Sequence, residues 1–383
     1  MKYLLTFKPL KNFFFGNDRT FSDDYLAISE YFPQNTQLLG ALRLFIAEQN
    51  KLMHVHKNGK YSNEPEKLKR LIGTASSKDF STNSDLGKIQ NISQMFLVSS
   101  SLDDAYFPTP FDIEITEDRV QYYELAHIEN DYFLQNYDVK KASSQKLGNA
   151  KFWKNYTHKQ ELSKEHFEDM SEIFITHSQV GIGLENKKTI EGAFYSKTDY
   201  QLKNGFLFAC LIELDEKTSS VASQKKSFFD FLFGRLIKLN EEIISDGIIQ
   251  IGAENSLFEL KIIPYENTQL TSHPIVSQLF TQPQKGDKAV AISDVILQST
   301  EEFHAYFTIV PFYKNFAMLK SENESFQGKS KEKSFAKFEG KTDQKRLIPT
   351  GTVSYIKEQV MPHNQTLGAY AKMGYNQFIT AKI

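Results

Sequence analysis

Short apolar runs separated by polar turns recur along this chain and predict strands at most positions, with helices at a few. Tyr3–Phe7 reads as a strand entered directly from the N-terminus. Phe13–Phe15 extends an apolar patch up to a turn at Gly16-Asn17-Asp18. After Thr36, which is expected to cap it, a helix should run to about Gln49. Its apolar members Leu38, Leu39, Leu42, Phe45 and Ile46 recur at helical spacing. Gly40 and Ala41 leave one side of it thin, open to a closely approaching sheet or ligand. Residues 50–95 carry few apolar periods and read as an inserted loop region. Gln94–Ser99 reads as a strand, and the two prolines of Ala105–Phe111 break any continuous strand there. Ile173–His177, Gly181–Leu184, Ala193–Tyr195 and Gly205–Leu214 predict a long hairpin region whose tip at Asn186-Lys187-Lys188 is basic. Ser227–Ile244 is apolar at helical spacing, and Ile248–Ile251 and Leu257–Ile263 follow as a strand pair around Gly252-Ala-Glu-Asn-Ser256.

Strand, helix, hairpin, helix, strand is the βαββαβ order of a ferredoxin-like, RNA-recognition-type domain with insertions. The expected fold class is therefore α+β, with this first domain over residues 1–264. A second unit over 265–383 would contain Ala289–Leu297, His304–Val310, Thr352–Lys357 and a last strand around Gln377–Ile379. A length of 383 residues is consistent with two units. The polar, lysine-rich stretch between Ser321 and Arg346 has too little apolar content to order itself and is expected to track RNA or a partner, or to be a solvated loop.

Composition narrows the function classes. Phe is abundant, at 32 residues, which suits β-rich cores. The formal net charge of −2 gives no global electrostatic case for nucleic acid, so any RNA contact must be local. The single cysteine, Cys210, excludes an internal disulfide and fits a reducing, cytoplasmic setting. The opening MKYLLTFKPLK reads as a strand and not as a signal peptide, and no apolar run is long enough to span a membrane.

Little in the sequence points to catalysis. There is no phosphate-binding P-loop, and Gly181-Ile-Gly183 lacks the third glycine of a dinucleotide fingerprint. His54 and His56 share a strand face without a cysteine or carboxylate set to make a zinc site. Cys210 lies in an apolar strand and reads as a core thiol. The expectation is that there is no metal, cofactor or catalytic residue. Basic residues interleaved with glycine and aromatics are more informative. Arg19 lies in a glycine turn beside Phe14 and Phe21, Arg43 faces out of the first helix, and Lys187, Lys188 and Lys197 bracket the hairpin. Single-stranded RNA is held in this way, by neutralised phosphates and stacked bases.

Several motifs fall in a recognisable order: Phe7-Lys-Pro-Leu10, Phe14-Phe-Gly-Asn-Asp-Arg19, Phe32-Pro33 with Thr36, Leu39-Gly-Ala-Leu-Arg43, Phe107-Pro-Thr-Pro-Phe-Asp112, Val180-Gly-Ile182 through Glu191-Gly-Ala-Phe-Tyr195, Ile251-Gly-Ala-Glu254, Ile348-Pro-Thr-Gly-Thr-Val353 and Leu367-Gly-Ala-Tyr370 with Met373-Gly-Tyr375. Their collinear run over nearly the whole chain resembles the third-subunit family of the Cmr complex, in the RAMP superfamily of type III-B CRISPR effectors. Ala253 stands where that family has a second glycine. The resemblance implies two ferredoxin-like domains side by side with a protruding hairpin. It also implies a non-catalytic subunit that grips the 5′ tag of the CRISPR RNA, docks on the large polymerase/cyclase-like subunit and touches the first backbone subunit, without direct DNA contact. The RNA-binding positions expected on this basis are Arg19, Thr36, Arg43, Lys187, Lys188, Lys197, Gly252, Ala253 and Asn255. The competing expectation is a RAMP endoribonuclease that processes precursor RNA with His54 or His177 as general acid or base. A third is a clamp that touches only protein.

Overall fold

The computed structural model describes residues 1–16, 26–56, 59–61, 64–75, 85–116, 119–128, 131–138, 146–185, 188–215, 237–239, 242–254, 256–281, 287–296, 305–316, 319–321, 338–341, 345–356 and 368–383. In chain order the elements used below are β1 (Lys2–Pro9), β2 (Leu26–Ile28), α1 (Asn35–Gln49), α2 (Pro65–Ile72), β3 (Ile89–Ile92), β4 (Phe96–Ser99), β5 (Ala105–Pro108), β6 (Leu147–Gly148), α3 (Ala150–Thr157), β7 (Phe167–Glu168), β8 (Phe174–Glu185), β9 (Lys188–Leu202), β10 (Phe206–Leu214), β11 (Ile237–Leu239), β12 (Glu242–Gln250), β13 (Leu257–Pro264), β14 (Lys288–Ala291), β15 (Ala305–Ile309), β16 (Val353–Ile356), α4 (Gly368–Lys372) and β17 (Phe378–Ala381).

The fold is mixed α+β, dominated by antiparallel sheets. The largest sheet runs β7-β6-β5-β4-β10-β1-β13-β12-β11, and β3 also pairs with β10. β1 sits at its centre, antiparallel to both β10 and β13. A central strand is covered on both faces, which explains why β1 is a continuous buried run from Tyr3 to Phe7 and does not alternate. Leu5 and Phe7 point to one face, where α1 contributes Leu38, Leu39, Leu42 and Ile46. Leu4 points to the other, toward Trp153 of α3 and the second sheet.

That second sheet has the order β15-β16-β14-β17, with antiparallel neighbours. Numbered by appearance in the chain, its strands stand in the spatial order 2-3-1-4. The central four of the first sheet, β4-β10-β1-β13, stand in the same order. The two sheets share a core in which Leu4, Phe96 and Leu211 meet Val290, Val353 and Ile379. Lys288 of β14 reaches across to Asp112, with Nζ 2.6 Å from Oδ2, and both side chains are buried. Tyr156 and Tyr355 donate their hydroxyls to the same carboxylate at 2.8 and 3.2 Å. Asp112 is thus satisfied by α3 and by two strands of the second sheet, which is the condition for burying a charge.

Several expectations need correction. Residues 50–95, read as loop, hold α2, β3 and a small hairpin of His54–His56 with Gly59–Tyr61. α2 starts on Pro65 and stops at Gly73, whose φ is +77°. The cap of α1 is Gln34, not Thr36; the Gln37 side chain accepts the Gln34 N–H at 3.3 Å. Gly40 is exposed, and a Cβ there would meet nothing within 4 Å, so no close approach needs it. The helix expected over Ser227–Ile244 ends in strand. β11 and β12 pair as a hairpin, Ile237 with Ile244, while the apolar run from Phe228 to Leu236 lies outside the described residues. Ile243, Ile244, Ile248 and Ile249 explain why, since β-branched residues prefer a pleated surface. Ala289–Leu297 is not one strand: β14 ends at Ala291, and Val295–Ile296 pairs in a separate sheet. The strands expected at His304–Val310 and Thr352–Lys357 are present as β15 and β16.

Candidate nucleic-acid interface

β1 does not end cleanly at Pro9. Its continuation crosses to the end of β9, where Phe13 bridges Tyr200 and the Phe13 N–H donates to the Tyr200 carbonyl at 2.8 Å. Phe14 then bridges Ala253 in the loop between β12 and β13. The Ala253 N–H donates to the Phe14 carbonyl at 2.9 Å, and the Phe14 N–H donates to Ser256 Oγ at 2.9 Å. The Phe15 N–H donates to Ser29 Oγ at 2.9 Å, and Gln37 Nε2 donates to the Phe15 carbonyl at 3.0 Å. Four distant stretches therefore fix the three residues Phe13–Phe15: the hairpin base, the 252–256 loop, the strand end after β2 and the first turn of α1.

Gly252 makes the loop possible. Its φ is +84°, and a Cβ on it would lie 2.5 Å from the Phe14 carbonyl oxygen. Only glycine accepts both the left-handed backbone and that approach. Ser256 Oγ donates to the Ala253 carbonyl at 2.7 Å, closing the turn.

Lys197 lies over this segment. Its Nζ sits 5.3 Å from the centroid of the Phe14 ring, a cation–π distance. Asp199 and Glu254 approach it at 3.6 and 3.3 Å. Asp199 is buried and is also held by Asn12 Nδ2 at 3.0 Å, whereas Glu254 is mostly exposed. The arrangement gives one fixed cation with a permanent inner partner and a replaceable outer one. An incoming phosphate oxygen can take the place of Glu254 on the Lys197 ammonium, with the aromatic face beside it.

Of the nine expected positions, the structure brings Lys197, Gly252 and Ala253 together around Phe14 and sets Thr36 on the helix turn that holds Phe15. Thr36 is also hydrogen-bonded to Tyr375, whose hydroxyl burial pushes up in pKa. Arg43 lies two turns along α1. Its two terminal nitrogens donate to the carbonyls of Ala75 and Gly73 at 2.7 and 2.9 Å, which braces the segment after α2. Lys188 is nine residues from Lys197 along β9, roughly 30 Å at strand rise. Arg19, Lys187 and Asn255 lie outside the described residues.

The β8–β9 hairpin that carries Lys188 is long, with pairing from Phe174–Leu202 out to Glu185–Lys188. Its first strand is largely exposed; Val180, for example, is 66% accessible. His177 belongs to this strand and contacts Gln201 at 3.3 Å. His54 lies on a separate small hairpin, and its side chain is outside the described set. Cys210 is buried in the core, and burial pushes its thiol well up in pKa, so it is not a nucleophile. Among the described residues no cluster of His, Cys, Asp and Glu could hold a metal ion, and no helix is long and apolar enough to cross a membrane.

Sequence reasoning singled out Lys197 and the glycine loop but not the side chains that hold them here, Asp199, Glu254, Asn12 and Ser256. Asn12 and Asp199 are 187 residues apart, and no local pattern announces such a pairing.

Compared with protein-family models, residues 5–278 match CRISPR-associated protein (Cas_Cmr3). No curated protein matches the chain. Among solved structures it is similar to a chain of the type III-B Cmr-beta complex bound to cognate target RNA and AMPPnP. That match has 12% identity, covers 99% of this chain and 96% of the other, and has a TM-score of 0.49. A chain of Cmr-beta bound to cognate target RNA matches at 12% identity, with 100% and 98% coverage and a TM-score of 0.48. A chain of a Csm1-Csm4 cassette in complex with cA4 matches at 11%, with 94% and 87% coverage and a TM-score of 0.38.

Proposed function

This chain belongs to the CRISPR-associated Cmr3 family of type III effector components, and from that premise we propose that it anchors the 5′ tag of the CRISPR RNA in a type III-B complex. On this reading it is a non-catalytic subunit. It docks the large polymerase/cyclase-like subunit and contacts a backbone subunit of the same superfamily.

The observation that carries the reading is the clasp around Phe14. A segment running straight into the Arg19 turn is held by the 252–256 loop, and Lys197 is held over the Phe14 ring. A fixed ammonium and an aromatic face set on a rigid loop are components that grip a phosphate and its flanking base. Arg19 is positioned by sequence to complete the pocket, and Thr36 and Asn255 to border it. Lys187 and Lys188 would meet RNA farther along, at the hairpin tip, where splayed nucleotides can be wedged apart. The shared 2-3-1-4 strand order of the two sheets fits two ferredoxin-like halves, 1–264 and 265–383, each adding its own insertions.

Lys197→Ala and Arg19→Ala test the clasp. Each should weaken binding of tag-bearing RNA by about 1–3 kcal/mol, the range for a charged hydrogen bond. Unchanged affinity in both variants would remove the clasp from RNA binding. Metal-independent cleavage of repeat RNA that is lost in His177→Ala would shift the reading to a processing nuclease.

A further inference from the structure

β1 keeps its pairing with β13 as far as Pro9 opposite Phe258, but its pairing with β10 stops at Phe7 opposite Phe208. The chain meets the neighbouring hairpin again only at Phe13–Tyr200. Between these two closed points residues 8–11 stand apart from residues 201–207, and a cavity of about 320 Å³ opens in the sheet. This volume is within the range of small-ligand sites. None of the nine positions discussed above lines it.

The charge around this cleft differs from that of the molecule. The whole chain has 45 basic against 47 acidic residues, yet the cleft is lined by Lys8, Lys11, Lys203 and Lys261 against one carboxylate, Glu259. Lys261 and Lys203 hold only loose, largely exposed ion pairs, with Glu259 and Glu172, both at 3.6 Å. Such pairs are readily exchanged. Lys8 and Lys11 are exposed and have no ion pair among the described residues. Gln201 and Asn204 add amide donors to the wall. The turn at Gly205 faces open space: a Cβ there would meet nothing within 4 Å, and φ is +100°.

We propose that this lysine-rimmed cleft is a second phosphate site, and that its occupant is the phosphodiester backbone of single-stranded RNA. Lysines on flexible stems neutralise phosphates without reading sequence, and neutral amides beside them suit sugar and phosphate oxygens. A continuous strand is favoured over a free nucleotide because the cleft is bounded by the Phe13–Tyr200 bridge, next to the Phe14 clasp, so that one strand can reach both. The inference extends the RNA-anchoring reading by giving the strand a sequence-independent track beside the tag clasp.

The test uses the full chain and two fluorescently labelled single-stranded RNAs, one bearing the tag and one with the tag scrambled, titrated at several salt concentrations. Lys8→Ala/Lys11→Ala should weaken both RNAs by about tenfold at low salt and lower the salt slope by about 1.4, at roughly 0.7 per phosphate contact. The ratio between the two RNAs should not change, whereas loss of the clasp would change that ratio, so failures of the two sites are distinguishable. Affinity and slope identical to the parent chain would overturn the proposal. Displacement of a labelled AMP, but not of RNA, by the double substitution would also overturn it, in favour of a mononucleotide site.

Discussion

At the scale of single residues, Gly252 and His273 make the sharpest statements. A methyl group at Gly252 strains a left-handed backbone and strikes the Phe14 carbonyl. Gly252→Ala should therefore cost about 1–3 kcal/mol in denaturant unfolding. His273 is buried, and burial lowers its pKa to about 4. Its Nε2 lies 3.0 Å from the Ala105 carbonyl, and Nδ1 faces the N–H groups of Ile275 and Val276 at 3.1 and 3.3 Å. That pattern fits only the neutral ring with its proton on Nε2, since a proton on Nδ1 would oppose two donors. The nearest charged group, Asp104 at 3.7 Å, has its own carboxyl pushed up by burial. Below its ordinary pKa the unfolded chain takes up a proton that the folded chain refuses, so stability falls as pH drops from about 6.5 to about 4. Up to about 3 kcal/mol should be lost across that window, and His273→Gln should flatten this part of a stability–pH profile. The sequence offered no route to His273, because the carbonyl facing its Nε2 comes from a strand 168 residues away. Cys210 as a core thiol was legible, because its apolar strand neighbours surround it in sequence.

At the scale of elements, regular periodicity was readable and borrowed stability was not. The core face of α1 matches its apolar spacing, and the long hairpin is present, paired out to Glu185 and Lys188. The cap of α1 was misplaced because Gln34 is a weak cap by type and works here through its exchange with Gln37. The 237–244 stretch was misread because apolar residues in succession satisfy helical and extended templates alike, and the pairing of β11 with β12 decides the outcome. Arg43 shows the same limit. Its charge is visible in the sequence, but the carbonyls of Gly73 and Ala75 that receive its two bonds are set by the turn after α2. Arg43→Ala should destabilise the chain by about 1–3 kcal/mol, measured by urea unfolding. Arg43→Lys should recover little of that loss, because a single ammonium does not reproduce the planar fork.

At the scale of the molecule, the two sheets are bound into one cooperative body. Their common core and the Asp112–Lys288 pair mean that neither sheet can open without exposing the other. The sole tryptophan, Trp153, is fully buried in that core and reports on it directly. Urea unfolding followed by Trp153 fluorescence and by far-ultraviolet circular dichroism should give coincident midpoints, despite a length at which separate domains often unfold separately. Two transitions would mean that the shared core contributes little. The mixed α+β class was legible in the sequence; the packing of one sheet on the other was not, because it depends on which face of each strand is covered.

The central claim is that the proposed anchoring of RNA is carried by the clasp at Phe14, and one measurement tests it most directly. The full chain, co-expressed with the large subunit proposed as its partner, is titrated with RNA bearing the repeat-derived 5′ tag and with the same RNA carrying a scrambled tag, while RNA integrity is followed. The account predicts tighter binding of the tagged RNA, no cleavage, and loss of the preference in Lys197→Ala. Equal affinity for the two RNAs, or cleavage of either by the chain, would contradict it.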